Sequence, residues 1–116
     1  MIENIDVGID IVEINKFKKA NFKDKESFYK KIFTESEIKY CQKFKDDYRH
    51  FAGKFAVKEA VIKSINKKIK FLDIVTSNQK KKPIVKILKN DCYKFKVSIS
   101  HEENLAIAIV ISEKIK

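Results

Sequence analysis

The chain has 116 residues and a formal charge of +10, from 26 Lys plus Arg against 16 Asp plus Glu, with Arg49 the only arginine. That length suits one domain, read here as spanning 1–116, and 44% apolar residues with nine Phe and four Tyr exclude a disordered chain. No apolar run reaches the roughly 18 residues of a membrane span, and no basic-then-apolar leader opens the sequence. Cys41 and Cys92 suit two reduced thiols better than a disulfide or zinc site, so a cytoplasmic location is expected.

The predicted elements follow in order. In 5–12, Ile5, Val7, Ile9 and Ile11 alternate with Asp6, Gly8 and Asp10, a strand whose branched face is built for burial. Helical stretches follow over 15–20 and 26–32. Thr34 with Glu37 three residues on forms a capping box that opens a short helix to about residue 44. The span 49–65 is apolar almost all round: Phe51, Phe55 and Ile62 form one stripe, Ala52 and Ala56 flank it, and Val57 and Val61 lie opposite. A helix of that kind is a buried central one. Four strands are predicted over 71–77, 84–88, 95–100 and 105–112, with Pro83 entering the second and His101-Glu102-Glu103-Asn104 turning between the last two. In the last strand, apolar residues occupy both alternating sets, so both faces should be covered. One long buried helix with antiparallel strands makes an α+β domain.

Two groups break the pattern. Asp10 ends a strand otherwise made for burial, and Glu59 falls within the apolar arc of the long helix, between Phe55 and Ala52. A carboxylate there is costly unless paired or metal-bound. Lys63, one turn on, offers a structural ion pair with Glu59. Alternatively, Asp10 and Glu59 together offer two hard oxygen donors for Mg²⁺, with Lys54, Lys58 and Lys63 supplying phosphate contacts, the parts of a phosphoryl-transfer site. No P-loop, HExxH, Ser-His-Asp elbow or dinucleotide glycine fingerprint is present. His101 follows Ser100 at a strand end, either as a structural hydrogen-bonder or, with Ser100, as a hydrogen-bond donor that holds a phosphate.

Three segments carry a resemblance. Gly8-Ile9-Asp10-Ile11-Val12-Glu13-Ile14, then Phe51-Ala52-Gly53-Lys54-Phe55-Ala56-Val57-Lys58-Glu59-Ala60, then Val97-Ser98-Ile99-Ser100-His101 resemble the holo-acyl-carrier-protein synthases, small single-domain 4′-phosphopantetheinyl transferases. Phe33-Thr34-Glu35-Ser36-Glu37 and Lys82-Pro83 extend the likeness over nearly the whole chain. The resemblance implies a 4′-phosphopantetheinyl transferase-like fold, with the long helix packed on a small antiparallel sheet. It also implies Mg²⁺-dependent transfer of phosphopantetheine from coenzyme A to a serine of apo-acyl carrier protein, releasing adenosine 3′,5′-bisphosphate.

By the same resemblance Asp10 and Glu59 hold the metal, and Lys63 stabilises the pyrophosphate or relays the serine proton. Lys54, Lys58, Ser100, His101 and the Asn66-Lys67-Lys68 turn meet the nucleotide, and Lys16 docks the acidic carrier protein. A homotrimer with active sites between subunits is implied, whereas membrane and nucleic acid are not expected partners. Two departures stand out. Asn66-Lys67-Lys68 replaces a glycine-rich turn, and Lys89-Asn90-Asp91-Cys92-Tyr93 is too short for the helix that usually lies between the third and fourth strands. Both departures suit an alternative, a non-catalytic basic module that binds RNA or an acidic protein. A buried Glu59 and internal Phe51 and Phe55 speak against RNA stacking.

Overall fold

The computed structural model describes residues 2–116. Its strands are β1 (Ile5–Glu13), β2 (Ile74–Gln79), β3 (Lys82–Ile87), β4 (Tyr93–Glu102) and β5 (Leu105–Lys114). Its helices are α1 (Ile14–Lys19), α2 (Glu26–Ile32), α3 (Glu35–Gln42) and α4 (Asp47–Ile65). One antiparallel sheet has the order β1-β5-β4, and β2 pairs with β3 in a separate hairpin. The α+β reading holds, with α4 starting two residues earlier than expected. The predicted strand over 71–77 begins only at Ile74, because Phe71–Asp73 closes as a single 3₁₀ turn.

Small residues decide which sheet face meets α4. Gly8 pairs with Val110, Asp10 with Ala108 and Val12 with Ala106, and Ala106, Ala108 and Val110 are fully buried against the helix. The approach is so close that a Cβ on Gly8 would lie 1.9 Å from the Ala60 carbonyl oxygen. This reverses the expectation for β1. Its branched residues point the other way, with Ile9 54% and Ile11 59% exposed, beside Ile109 of β5 at 41%. Alternation reveals that a strand has two unlike faces, but closeness to a helix backbone favours the face with the smaller side chains. The covering expected on both faces of β5 is therefore present on one only.

On the other side of α4, Phe17, Tyr29, Phe33 and Phe51 interlock, with Tyr29–Phe51 ring centroids 4.7 Å apart and Phe33–Phe51 5.0 Å. The Tyr29 hydroxyl donates to the Ala20 and Phe17 carbonyls, tying the end of α1 to α2. The predicted capping box forms: the Thr34 N–H donates to Glu37 Oε1 at 2.7 Å and the Glu37 N–H to Thr34 Oγ1 at 3.3 Å. At the far end of α4, Asn66 takes the left-handed conformation (φ 51°) and returns its N–H to the Ile62 carbonyl. The Lys80-Lys81 turn of the β2–β3 hairpin also has both φ values positive, as a two-residue primed turn requires. The span between β3 and β4 holds no helix. Cys41 and Cys92 are free thiols, and burial pushes the Cys41 thiol up to about 12.

Candidate active site

Asp10 lies on the face of β1 that looks toward α4, and Glu59 and Lys63 come from successive turns of that helix. The expected Glu59–Lys63 pair is not made. The Lys63 Nζ crosses to β1 and donates to Asp10 Oδ1 and the Ile9 carbonyl, both at 3.0 Å. Among the described residues no hydrogen bond or ion pair engages the Glu59 carboxylate. Burial and then the nearby charge of Asp10 push that carboxyl above its ordinary value, with Lys63 opposing them. A cavity of about 700 Å³ opens here, lined by Asp10, Glu59, Lys63 and Lys16 together with Phe17, Phe28, Phe55 and Leu105. Two like-charged carboxylates on rigid elements are a donor set that a hard divalent cation would relieve. Glu13 also lines this cavity, but no three His, Cys, Asp or Glu side chains come together closely enough to share an ion among the described residues. Such an ion would complete its shell with water and ligand oxygens, as Mg²⁺ usually does.

A second cavity of about 510 Å³ lies across α4, and its lining includes Tyr40, His50, Lys54, Thr76, Lys82 and His101 but no carboxylate. Lys54 is almost wholly buried. Its Nζ donates to Thr76 Oγ1 at 2.9 Å and sits 4.7 Å from the centre of the Tyr40 ring. Burial lowers this ammonium's affinity for its proton. His101 Nε2 lies 3.2 Å from the Arg49 carbonyl and so acts as donor there, and the missing side chain at Gly53 leaves the ring its room. Phe55, Glu59 and Lys63 project from α4 on one side, and His50, Gly53 and Lys54 on the opposite one. One chain therefore presents a carboxylate cavity and a basic cavity that do not merge.

These elements are shared with proteins of known kind. The family model of the 4′-phosphopantetheinyl transferase superfamily matches residues 6–110. A holo-[acyl-carrier-protein] synthase of Thermodesulfovibrio yellowstonii is 43% identical over 115 residues, covering 96% of this chain and 98% of its own. The chain belongs to the holo-acyl-carrier-protein synthases. A crystal structure of such a synthase from Bacillus anthracis, in complex with CoA (3′,5′-ADP), is similar with TM-score 0.81 and 32% identity, covering 94% of this chain and 96% of that one. The synthase of Helicobacter pylori in complex with coenzyme A gives TM-score 0.80 and 34% identity, covering 92% and 99%.

Within this synthase fold the residues singled out from sequence separate. Asp10, Glu59, Lys63 and Lys16 share the first cavity, and Lys54 and His101 share the second. Lys58 departs from expectation. It has no exposed surface, and its Nζ is saturated by Glu37 Oε1 (2.7 Å), the Ile32 carbonyl (2.7 Å) and the Phe71 carbonyl (3.0 Å), leaving no donor for a nucleotide. Neighbouring positions on a helix diverge by about 100°, so Lys58 turns into the core where Glu59 faces a cavity. Ser100 pairs with Ile107 on the outer sheet face and lies in neither cavity. Asn66, Lys67 and Lys68 stand exposed beyond α4, outside both, with the Lys67 ammonium over the Tyr93 ring.

Glu37, Tyr40, His50 and Thr76 were not singled out from sequence as site residues. Only Glu37 carried a signal, and its capping-box position accounts for one of its oxygens alone. The other accepts the Thr76 N–H (2.8 Å) and the Thr76 hydroxyl (2.7 Å).

Proposed function

We propose that this protein transfers the 4′-phosphopantetheine group of coenzyme A to a serine hydroxyl of an apo-acyl carrier protein, with Mg²⁺ and with release of adenosine 3′,5′-bisphosphate. The observation that carries the reading is the Asp10–Glu59–Lys63 cluster in one cavity and the carboxylate-free Lys54–His101 cavity across the same helix. The relatives' names and the coenzyme A complexes of two similar structures support it.

Asp10 and Glu59 are the residues that would hold the metal. When bound, Mg²⁺ neutralises charge building on the pyrophosphate. Lys63, whose ammonium donates to Asp10, would meet a phosphate oxygen at the same cluster. In the transfer, the serine oxygen forms a bond to the phosphorus that carries pantetheine, and the bond from that phosphorus to the bridging oxygen of the nucleotide breaks. The serine proton leaves to a carboxylate or water at the cluster. Lys54 and His101 hold the departing nucleotide. Lys16, exposed at the rim of the first cavity, presents a positive charge to an acidic carrier protein.

The uncovered sheet face completes the reading. Val7, Ile9 and Ile11 pair across the ladder with Ile111, Ile109 and Ile107, a continuous aliphatic surface of a kind that marks an interface. We assign it to contact between copies of the chain in a homotrimer, in which one subunit's carboxylate cavity faces a neighbour's basic cavity. To test the transfer, apo-carrier protein is incubated with coenzyme A and Mg²⁺ and weighed by mass spectrometry. A gain of one phosphopantetheine group on the carrier, abolished by chelation, is expected. A carrier that gains no mass under varied metal and pH overturns the activity.

A further inference from the structure

Two buried lysines of α4, one turn apart, are treated differently by their surroundings. The Lys58 ammonium uses all three of its donors on protein oxygens, whereas that of Lys54 has one oxygen partner, Thr76 Oγ1, and the face of Tyr40. Lys54 is only 6% exposed, so its remaining donors have nowhere to go but the basic cavity it lines.

What holds it there is a chain across three elements. Each oxygen of Glu37 accepts two hydrogen bonds, Oε1 from the Thr34 N–H and Lys58, Oε2 from the Thr76 N–H and hydroxyl. This carboxylate is locked, and being ionised it can only accept. The single hydroxyl proton of Thr76 therefore points to Glu37, and the oxygen is left with only lone pairs to offer Lys54.

We propose that Thr76, oriented by Glu37, is a positioning residue that aims the Lys54 ammonium at an anionic group of the nucleotide in the second cavity. This rests on the nucleotide reading of that cavity given above. The buried carboxylate supports the charge on Lys54 through one intervening hydroxyl, and so leaves the ammonium free to take a ligand. A direct carboxylate contact would instead quench it, as at Lys58.

Calorimetric titration with adenosine 3′,5′-bisphosphate tests the assignment. Thr76→Val keeps the shape and the N–H bond to Glu37 but removes the hydroxyl, and affinity should fall on the order of tenfold, the scale of a charge-assisted hydrogen bond. The loss should appear in KM for coenzyme A more than in kcat. Thr76→Ser should restore binding, and in a Lys54→Met background Thr76→Val should cost nothing further. Wild-type affinity in Thr76→Val, or an equal loss in both backgrounds, overturns the proposal. If Lys54→Met itself binds normally, the nucleotide reading of the cavity fails instead, and the positioning role falls with it. Should Thr76→Val not fold, NMR of the wild-type protein decides: the Lys54 ammonium and Thr76 hydroxyl signals should shift together on adding the bisphosphate while Lys58 stays still. An unmoved Lys54 signal refutes the assignment.

Discussion

Replacing Gly8 with alanine and replacing Gly53 with alanine add the same methyl group, and the structure gives them opposite consequences. At Gly8 the new Cβ would lie 1.9 Å from the Ala60 carbonyl oxygen, 2.8 Å from the Ser64 nitrogen and 2.9 Å from the Ala60 carbonyl carbon. All three atoms are helix backbone, so no rotamer can relieve the clash. β1 must move off α4 by more than an ångström, loosening the contacts of Val12, Ala106 and Ala108. Overpacking commonly costs about 1–3 kcal/mol, and a backbone clash belongs at the upper end. At roughly 4 °C per kcal/mol for a domain of this size, the melting temperature should fall by about 12 °C.

At Gly53 the nearest atom is the His101 Nε2 at 3.1 Å, the end of an exposed side chain that can give way. The gain in helix propensity, about 0.8–1 kcal/mol, should then leave stability unchanged or raised. Thermal unfolding followed by circular dichroism compares the two variants with the parent. A Gly8→Ala protein melting within about 2 °C of wild type would refute the close β1–α4 contact. Because β1 carries Asp10 and α4 carries Glu59, the same displacement should weaken metal binding in Gly8→Ala, a second readout of the same geometry.

Further outcomes follow from other parts of the molecule. Asp10→Asn and Glu59→Gln should each abolish transfer while circular dichroism and melting stay near those of the parent; near-normal turnover in either removes the metal assignment. Lys58→Met strands the Glu37 charge in the core and should destabilise by about 3–5 kcal/mol, read from the urea midpoint. Burial works to raise the Glu37 carboxyl, but the charge and hydrogen bond of Lys58, with bonds from Thr76 and Thr34, hold it below its usual 4.5. That contribution to stability is full above the ordinary carboxylate range and disappears as pH falls through the depressed value, so Glu37 should steepen the acid limb of a stability–pH profile. Ile9→Lys or Ile109→Lys should yield monomers in sedimentation and abolish transfer; intact trimers would show that this sheet face is not the interface.

Much of the framework was legible because it rests on local rules. The Thr34–Glu37 box and the long central helix form as their residue types dictate, and β1 has two unlike faces as its alternation requires, though not with the face expected turned inward. What could not be read was which partner each group finds across the fold. Lys63 lies one turn from Glu59 yet reaches β1, because the Asp10 oxygen and the Ile9 carbonyl lie within its span. Lys58 adjoins Glu59 in sequence and turns into the core, where a carboxylate from α3 meets it. The outward turn of Ile9 and Ile11 depends on Gly8 and Ala60 letting two backbones nearly touch, a tertiary fact that periodicity does not encode. That Asp10 and Glu59 line one cavity agrees with one of the two sequence alternatives, reached for a different reason. A carboxylate in an apolar arc needs a cause, and Asp10 was the other misplaced charge.

Among the lysines behind the basic composition, Lys58 is paired with Glu37 in the core, Lys54 and Lys82 line the second cavity, and Lys16 and Lys63 line the first, Lys63 paired with Asp10. The claim that binds these together is an active site completed by two copies of the chain. It is tested most directly by mixing. Asp10→Asn lacks the carboxylate half and Lys54→Met the basic half, and each should be severely impaired alone in transferring phosphopantetheine to apo-carrier protein. Dissociated together and reassembled, they should regain transfer, because some mixed interfaces then contain both intact halves. No recovery in mixed assemblies that sedimentation proves have formed would contradict the account.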